Sequence, residues 1–293
     1  MNNQRVVKSS SIFNQVVPYL YIIPSLSLLV LFIWWPFFQT IKRSLYHTNN
    51  IGQNSQFIGL DNYISLVNDA KFWNSIFVTF KFVALVVLIG IILGFSMALL
   101  VQKRFPGVKF FSTSYAIPMA IASSGMAMIF KVMLNPNVGI LNKLLNSHVK
   151  WLLEPNIALI CVGFLTGWLN CGSNFLFFSA GLSAVDEQLY ESASIDGANG
   201  FQKFFYITLP SLRPILFFVV VTNIISAFSS FNQINLLTGG GPRESTNVIV
   251  YDIYKNAFEN FKYGYASAES VILFIIVLLF TIILFNFRHS RKE

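Results

Sequence analysis

Long apolar runs broken by short polar stretches set the organisation of this chain. Six runs, at about 17–38, 75–101, 111–133, 157–183, 213–237 and 268–287, each carry the roughly 20 apolar residues that a helix needs to cross a bilayer core of about 30 Å. The pattern predicts an all-α, polytopic membrane protein with six transmembrane helices, occupying residues 1–293 as a single domain. The polar stretch between the fourth and fifth spans, 184–212, reads as two short helices with a break at Asp196-Gly197, where glycine supplies a left-handed turn. Asn199 caps the second of these, with Gln202 three residues on as in a capping box. Its apolar face is Phe201, Phe204, Phe205 and Thr208, and Pro210 and Pro214 end it and begin the fifth span. Such a face needs either a protein partner or the lipid headgroup region, and the residues alone weigh the two equally.

Composition points the same way, since 55% of residues are hydrophobic and 11% charged. The first apolar run is too long for a cleaved signal peptide, and no small-x-small cleavage site follows it. The net charge of +8 is scattered over loops, with no basic stripe of the kind nucleic acid requires. Counting basic residues does not by itself orient the chain. Arg5, Lys8, Lys103, Arg104 and Lys109 with the other residues of their side are matched by Lys42, Arg43, Lys71 and theirs. Density along the short turn at Lys103, Arg104 and Lys109 favours an inside N-terminus. Cys161 and Cys171 share one span about 15 Å apart and cannot bridge.

Within the spans, Gly90 and Gly94, and Gly163 and Gly167, form small-xxx-small pairs that let helix backbones approach, first of all within the chain. The fourth and fifth spans are the polar ones. Trp168, Asn170, Asn174, Asn232 and Gln233 are the candidate solute-path residues, although any single Asn is better read as a bond to a neighbouring helix. Neutral hydrogen-bonding groups beside aromatics suit a polyhydroxylated solute. Lys81, Lys131 and Glu269 fall near helix ends, so no buried ionisable group marks an ion-coupled carrier. His47, His148 and His289 lie apart, no serine sits in a nucleophile elbow and no Walker motif is present. No enzyme, cofactor or metal site is expected.

The stretch Glu191-Ser192-Ala193, then Gly197 and, after nine intervening residues, Ile207-x-Leu209-Pro210, resembles the EAA loop of ATP-driven (ABC) importer permeases, with Ser192 where alanine is usual. Two further segments, Phe57 to Tyr63 and Leu237 to Pro242 followed by Thr246, Tyr251, Tyr254 and Ala257-Phe258, are similar to segments of the carbohydrate branch of that family, which includes maltose, multiple-sugar and sn-glycerol 3-phosphate permeases. The resemblance implies a type I importer permease fold in a bacterial inner membrane, both termini cytoplasmic. It implies an ATPase-coupling role for Glu191, Ala193, Asp196, Gly197, Phe201, Phe204, Phe205, Ile207, Leu209 and Pro210. The implied partners are a second permease, an ATPase dimer and an external solute-binding protein. An uncharged saccharide is the expected solute, with sn-glycerol 3-phosphate as the alternative.

Overall fold

The computed structural model describes residues 12–49, 51–102 and 106–289. The basic residues Arg5, Lys8, Lys103, Arg104, Arg291 and Lys292 used for orientation lie outside them. The first helix, α1, runs Ile12–Leu29 and continues through a π turn, Val30–Trp34, into Trp35–Ser44. The π turn, closed by Trp35 N–H to the Val30 carbonyl, makes room for the ring of Pro36 without ending the helix. Every side chain from Tyr21 to Pro36 is exposed, so this span leans off the rest of the chain. It returns at Phe37, whose ring meets Phe274 at 5.0 Å.

A two-stranded antiparallel hairpin follows, β1 (Tyr46–Thr48) and β2 (Asn54–Phe57), the one sheet among the described residues. The Phe57 to Tyr63 segment then holds the end of α1: Asn62 Nδ2 donates to the carbonyls of Ser44 (2.8 Å) and Tyr46 (3.3 Å), and Ser44 Oγ bonds Tyr63 Oη at 2.7 Å. The segment is a clasp.

The remaining helices are α2 (Ala70–Gln102), α3 (Val108–Ala120), α4 (Ser123–Met133), α5 (Pro155–Ser183), α6 (Glu187–Ile195), α7 (Gly200–Ser211), α8 (Arg213–Phe228), α9 (Asn232–Leu237), α10 (Ile249–Tyr254) and α11 (Tyr263–His289). Short helices Asp61–Val67 and Ile140–Leu144 fill loops. Four helices are long and apolar enough to cross a membrane alone, and two bent pairs bring the number to six if each pair is one span.

Two predicted spans are corrected. The expected helix 111–133 is α3 and α4, bent by 98° at Ile121 and Ala122, both extended. Pro118 in the last turn of α3 has no N–H for the helix ladder, which weakens the turn where the chain breaks. The expected helix 213–237 stops at Phe228. Ser229 and Ser230 turn their hydroxyls back to the carbonyls of Ile225 and Ser226, a bond that competes with the helix ladder, and α9 starts afresh at Asn232.

The core is the seam between α2 and α5, with Phe82, Val86, Val162 and Leu165 buried. A Cβ on Gly163 would stand 3.1 Å from Leu85 Cβ, and one on Gly167 2.9 Å from Ile89 Cβ. The two glycine pairs therefore serve packing inside the chain. Beyond α9, Gly239 and Gly240 take left-handed conformations, and Tyr251 closes on Gly240 so tightly that a Cβ there would meet the ring at 2.8 Å. Thr246, fully buried, accepts or donates to Thr238 Oγ1 at 2.7 Å and donates to the Gly241 carbonyl at 2.7 Å. Ile249 N–H donates to Thr79 Oγ1 at 2.9 Å, docking α10 on α2. The glycine-rich loop is a fixed cap.

Glu269 differs most from expectation. It lies in the second turn of α11, is fully buried, and both carboxylate oxygens accept from Asn256 Nδ2 at 3.2 and 3.1 Å. Nearby, burial pushes the Asp252 carboxyl above the usual carboxylate range, against the opposing bond from Asn247 Nδ2 at 3.0 Å.

Candidate functional site: a coupling loop and a polar cleft

The 184–212 loop is built by local chemistry. Asp186 caps α6 by accepting from Gln188 N–H. Gly197, at φ +78°, ends it: Ala198 N–H reaches the Ala193 carbonyl (2.9 Å) and Gly197 N–H the Ser194 carbonyl (3.1 Å), the paired bonds of a Schellman stop. Asn199 and Gln202 then form the full capping box, with bonds of 2.8 and 2.9 Å. Within α7 a π turn, Phe204–Thr208, precedes Pro210. The chain bends by 64° into α8 at Leu212, which is buried where a Cβ on Gly181 would meet it at 2.8 Å.

Two contacts fasten α6, α7 and the spans together. Tyr190 Oη bonds Thr208 Oγ1 at 2.8 Å across the loop, and Phe204 packs on Phe95 of α2 at 5.9 Å. Phe95 in turn meets Phe178 of α5 at 5.1 Å. The expected apolar face therefore splits. Phe204 and Thr208 point inward, while Phe201 and Phe205, 4.6 Å apart, stay exposed.

Ala193, Asp196, Gly197 and Ile207 are brought together around a hollow of about 300 Å³, floored by Ala198, Gln202, Lys203 and Tyr206. Glu191 is exposed on α6 away from it, and Leu209 and Pro210 are half-buried at the bend. Sequence reasoning missed three members of this surface. Ile195 (88% exposed) and Tyr206 (80%) add apolar area that no soluble surface would leave bare, and Lys203 Nζ donates to Ser194 Oγ at 2.6 Å. Their signal was composition, since each is a large or charged residue within a stretch already singled out.

The path candidates fall in three places. Asn170 and Asn174 line a cleft of about 240 Å³ between α5 and α8 with Ser173, Thr222, Asn223 and Ser226. Asn174 is 2% exposed, and its amide is taken up by Asn223: Asn223 Nδ2 donates to Asn174 Oδ1 at 2.7 Å, and Asn174 Nδ2 returns a bond of 3.2 Å. Asn170 Nδ2, by contrast, is buried without a hydrogen-bond partner. Trp168 faces α4, its indole 6.1 Å from the Phe130 ring. Asn232 and Gln233 sit on α9, not on a fifth span, where Asn232 Nδ2 donates to Ser123 Oγ at 3.3 Å and Gln233 is buried. Lys131 Nζ donates to the Leu236 carbonyl at 2.9 Å, which ties α4 to α9.

The amide pair yields a graded expectation. Asn223→Leu leaves the Asn174 amide unpaired and should lower stability by about 1 kcal/mol, read as a lower melting temperature in detergent. Asn174→Leu with Asn223→Leu should cost less than the two single changes summed, because neither orphan remains.

Four helices long and apolar enough to cross a membrane, two bent pairs and an apolar helical loop joining two spans give the class of the protein, a polytopic membrane permease. Residues 90–291 match the model of the family described as binding-protein-dependent transport system inner membrane component, and the chain belongs to that family. It is 36% identical over 282 residues to the sn-glycerol-3-phosphate transport system permease protein UgpA of Agrobacterium fabrum, covering 95% of this chain and 96% of that one. It is 34% identical over 282 residues to the protein of the same name from Rhizobium meliloti, covering 95% of this chain and 96% of that protein. Among solved structures, a chain of a bacterial ABC transporter involved in import of the acidic polysaccharide alginate superposes with a TM-score of 0.85 at 21% identity, over 96% of this chain and 98% of that one. The same fold is seen in the alginate transporter in complex with an alginate pentasaccharide-bound periplasmic protein, with a TM-score of 0.82 at 21% identity, over 93% and 95% of the two chains. This chain is therefore an ABC importer permease subunit of the inner membrane. It is not an enzyme, and ATP is hydrolysed by a separate subunit.

Proposed function

We propose that this permease forms half of a translocation path, with a second permease as the other half, and that the 184–212 loop seats in an ATPase subunit on the cytoplasmic side, leaving both termini inside. The observation that carries the reading is the loop's outer surface. Phe201, Phe205, Tyr206 and Ile195 stand exposed beside a hollow that contains Gly197, on a loop locked inwardly by Tyr190 and Thr208. An interfacial helix lying in lipid headgroups would need no such inward lock. Force on this loop reaches α2 and α5 through Phe204, Phe95 and Phe178, besides α8 through the bend at Leu212. The second predicted span thus moves along with the fourth and fifth. A solute-binding protein delivers solute on the opposite face, consistent with the dependence stated in the family's description.

For the solute, sn-glycerol 3-phosphate is the first reading, on the strength of full-length relatives that carry it in their names. An uncharged saccharide is the second, favoured by a cleft whose polar lining is wholly neutral: Asn170, Ser173, Asn174, Thr222, Asn223 and Ser226. The test is to purify the tagged chain with whatever accompanies it, identify the components by mass spectrometry, and measure ATP turnover with binding protein and each solute. A Walker-motif ATPase and a second permease are expected, with turnover stimulated by one solute class. Glu191→Lys should lose the ATPase from the preparation. A chain that purifies alone and still transports would overturn the coupling role.

A further inference from the structure

We infer that a groove at the ends of α2 and α5 opposite the coupling loop is a binding site for an anionic phospholipid, its phosphate between Lys81 and Arg243 and its acyl chains along Leu85, Leu88 and Ile160. These residues line one cavity of about 710 Å³, within the range of small-molecule sites. No carboxylate lines it. Lys81 lies 11 residues into α2, about 16 Å from its start, with its Nζ 4.1 Å over the Phe77 ring. Arg243 is exposed and makes no ion pair among the described residues. Glu244, next to Arg243 in the chain, is turned to Lys71 at 4.0 Å.

A third donor converges on the same space. Ser245 Oγ is buried without a hydrogen-bond partner, and Asn156 also lines the cavity, as does Asn74, whose Nδ2 is spent on the Glu244 carbonyl at 3.2 Å. Two cations and an orphan hydroxyl call for an anion with several acceptor oxygens, which is what a phosphodiester offers. Below them the wall turns apolar. Leu85 and Leu88 lie one and two helical turns deeper than Lys81, Leu88 being 59% exposed, and Ile160, 53% exposed, faces the groove from α5 at about the level of Lys81. A free anion would satisfy the cations but leave that wall bare, so the groove fits a lipid better than a soluble phosphate.

The experiment is native mass spectrometry of the full-length chain, with any subunits that accompany it, during addition of phosphatidylglycerol or phosphatidylcholine. Phosphatidylglycerol should be retained about tenfold better, and Lys81→Gln with Arg243→Gln should abolish the difference. Leu88→Trp, which fills the wall and keeps both charges, should also reduce retention, and it serves if the double variant does not fold. Equal retention of the two lipids, retention indifferent to these variants, or displacement by inorganic phosphate would each overturn the assignment. A photo-crosslinking residue at position 88 in intact membranes gives the independent readout. A lipid adduct supports the site, and an adduct to another polypeptide assigns the groove to a subunit contact instead.

Discussion

Replacing Gly197 with valine is expected to abolish solute uptake while leaving the protein inserted in the membrane. Gly197 sits at φ +78°, and a β-branched residue there costs on the order of 1–3 kcal/mol of local strain. That is enough to unmake a turn held by two hydrogen bonds, those from Gly197 and Ala198 back to Ser194 and Ala193. Apart from its own neighbours in the chain, no described residue places an atom within 4 Å of a Cβ built at Gly197, so crowding inside the chain plays no part. This separates two mechanisms. If the turn alone matters, Gly197→Asn, which tolerates the left-handed region, should keep most of the uptake. If the space beside Gly197 is filled by the ATPase, asparagine should fail as valine does, and the loss should appear as weaker ATPase retention. Wild-type uptake by the valine variant would remove the loop from the coupling path.

Legibility in the sequence followed the range of the interactions. The Schellman stop at Gly197 and the capping box of Asn199 and Gln202 were readable because each is closed by residues within five positions of one another. Bends were harder. The break after Pro118 has a proline to announce it, but a hydropathy profile passes over the extended pair Ile121 and Ala122, both apolar. Likewise Ser229 and Ser230 read as polar decoration of a span until their backward hydrogen bonds are seen. Burial of Glu269 was not legible at all. Its position near a helix start suggests water, and the bonds from Asn256, 13 residues upstream, are visible only in the folded chain. The path candidates fared in the same way: Asn170 and Asn174 differ by one turn of a single helix, yet one has an unpaired amide and the other is spent on Asn223.

That difference assigns the two amides unlike roles in the proposed path. Asn174, with Asn223, stands where α2, α5 and α8 meet, since a Cβ on Gly90 would touch both amides at 3.1 Å. It is a fixed point about which the spans are arranged. Asn170 keeps an unpaired donor, which on that proposal is offered to a solute hydroxyl. Asn170→Ala should therefore alter transport and leave stability nearly unchanged, the reverse of Asn223→Leu.

The same junction gives a large structural effect from a small change. Gly94→Ala should sharply reduce the yield of folded, membrane-inserted protein, because the added Cβ would stand 2.6 Å from Asn174 Cβ and 3.0 Å from the Phe175 amide nitrogen. Neither atom is the far end of a flexible side chain, so α2 and α5 must part. Separation at one contact loosens the interdigitation at Gly163 and Gly167 along the same seam. Overpacking of this kind costs about 1–3 kcal/mol, against the gain of up to about 1 kcal/mol that alanine ordinarily brings to a helix in place of glycine. Gly125 in α4 supplies the control, with nothing within 4 Å of its Cβ position, and Gly163, whose added Cβ meets Leu85 at 3.1 Å, falls between. Thermal melts in detergent should rank Gly125→Ala at or above wild type, Gly163→Ala below it and Gly94→Ala lowest. If Gly94→Ala melts with Gly125→Ala, the α2–α5 seam is not held by close backbone approach, and the amide pair beside it is not the fixed point about which this permease moves.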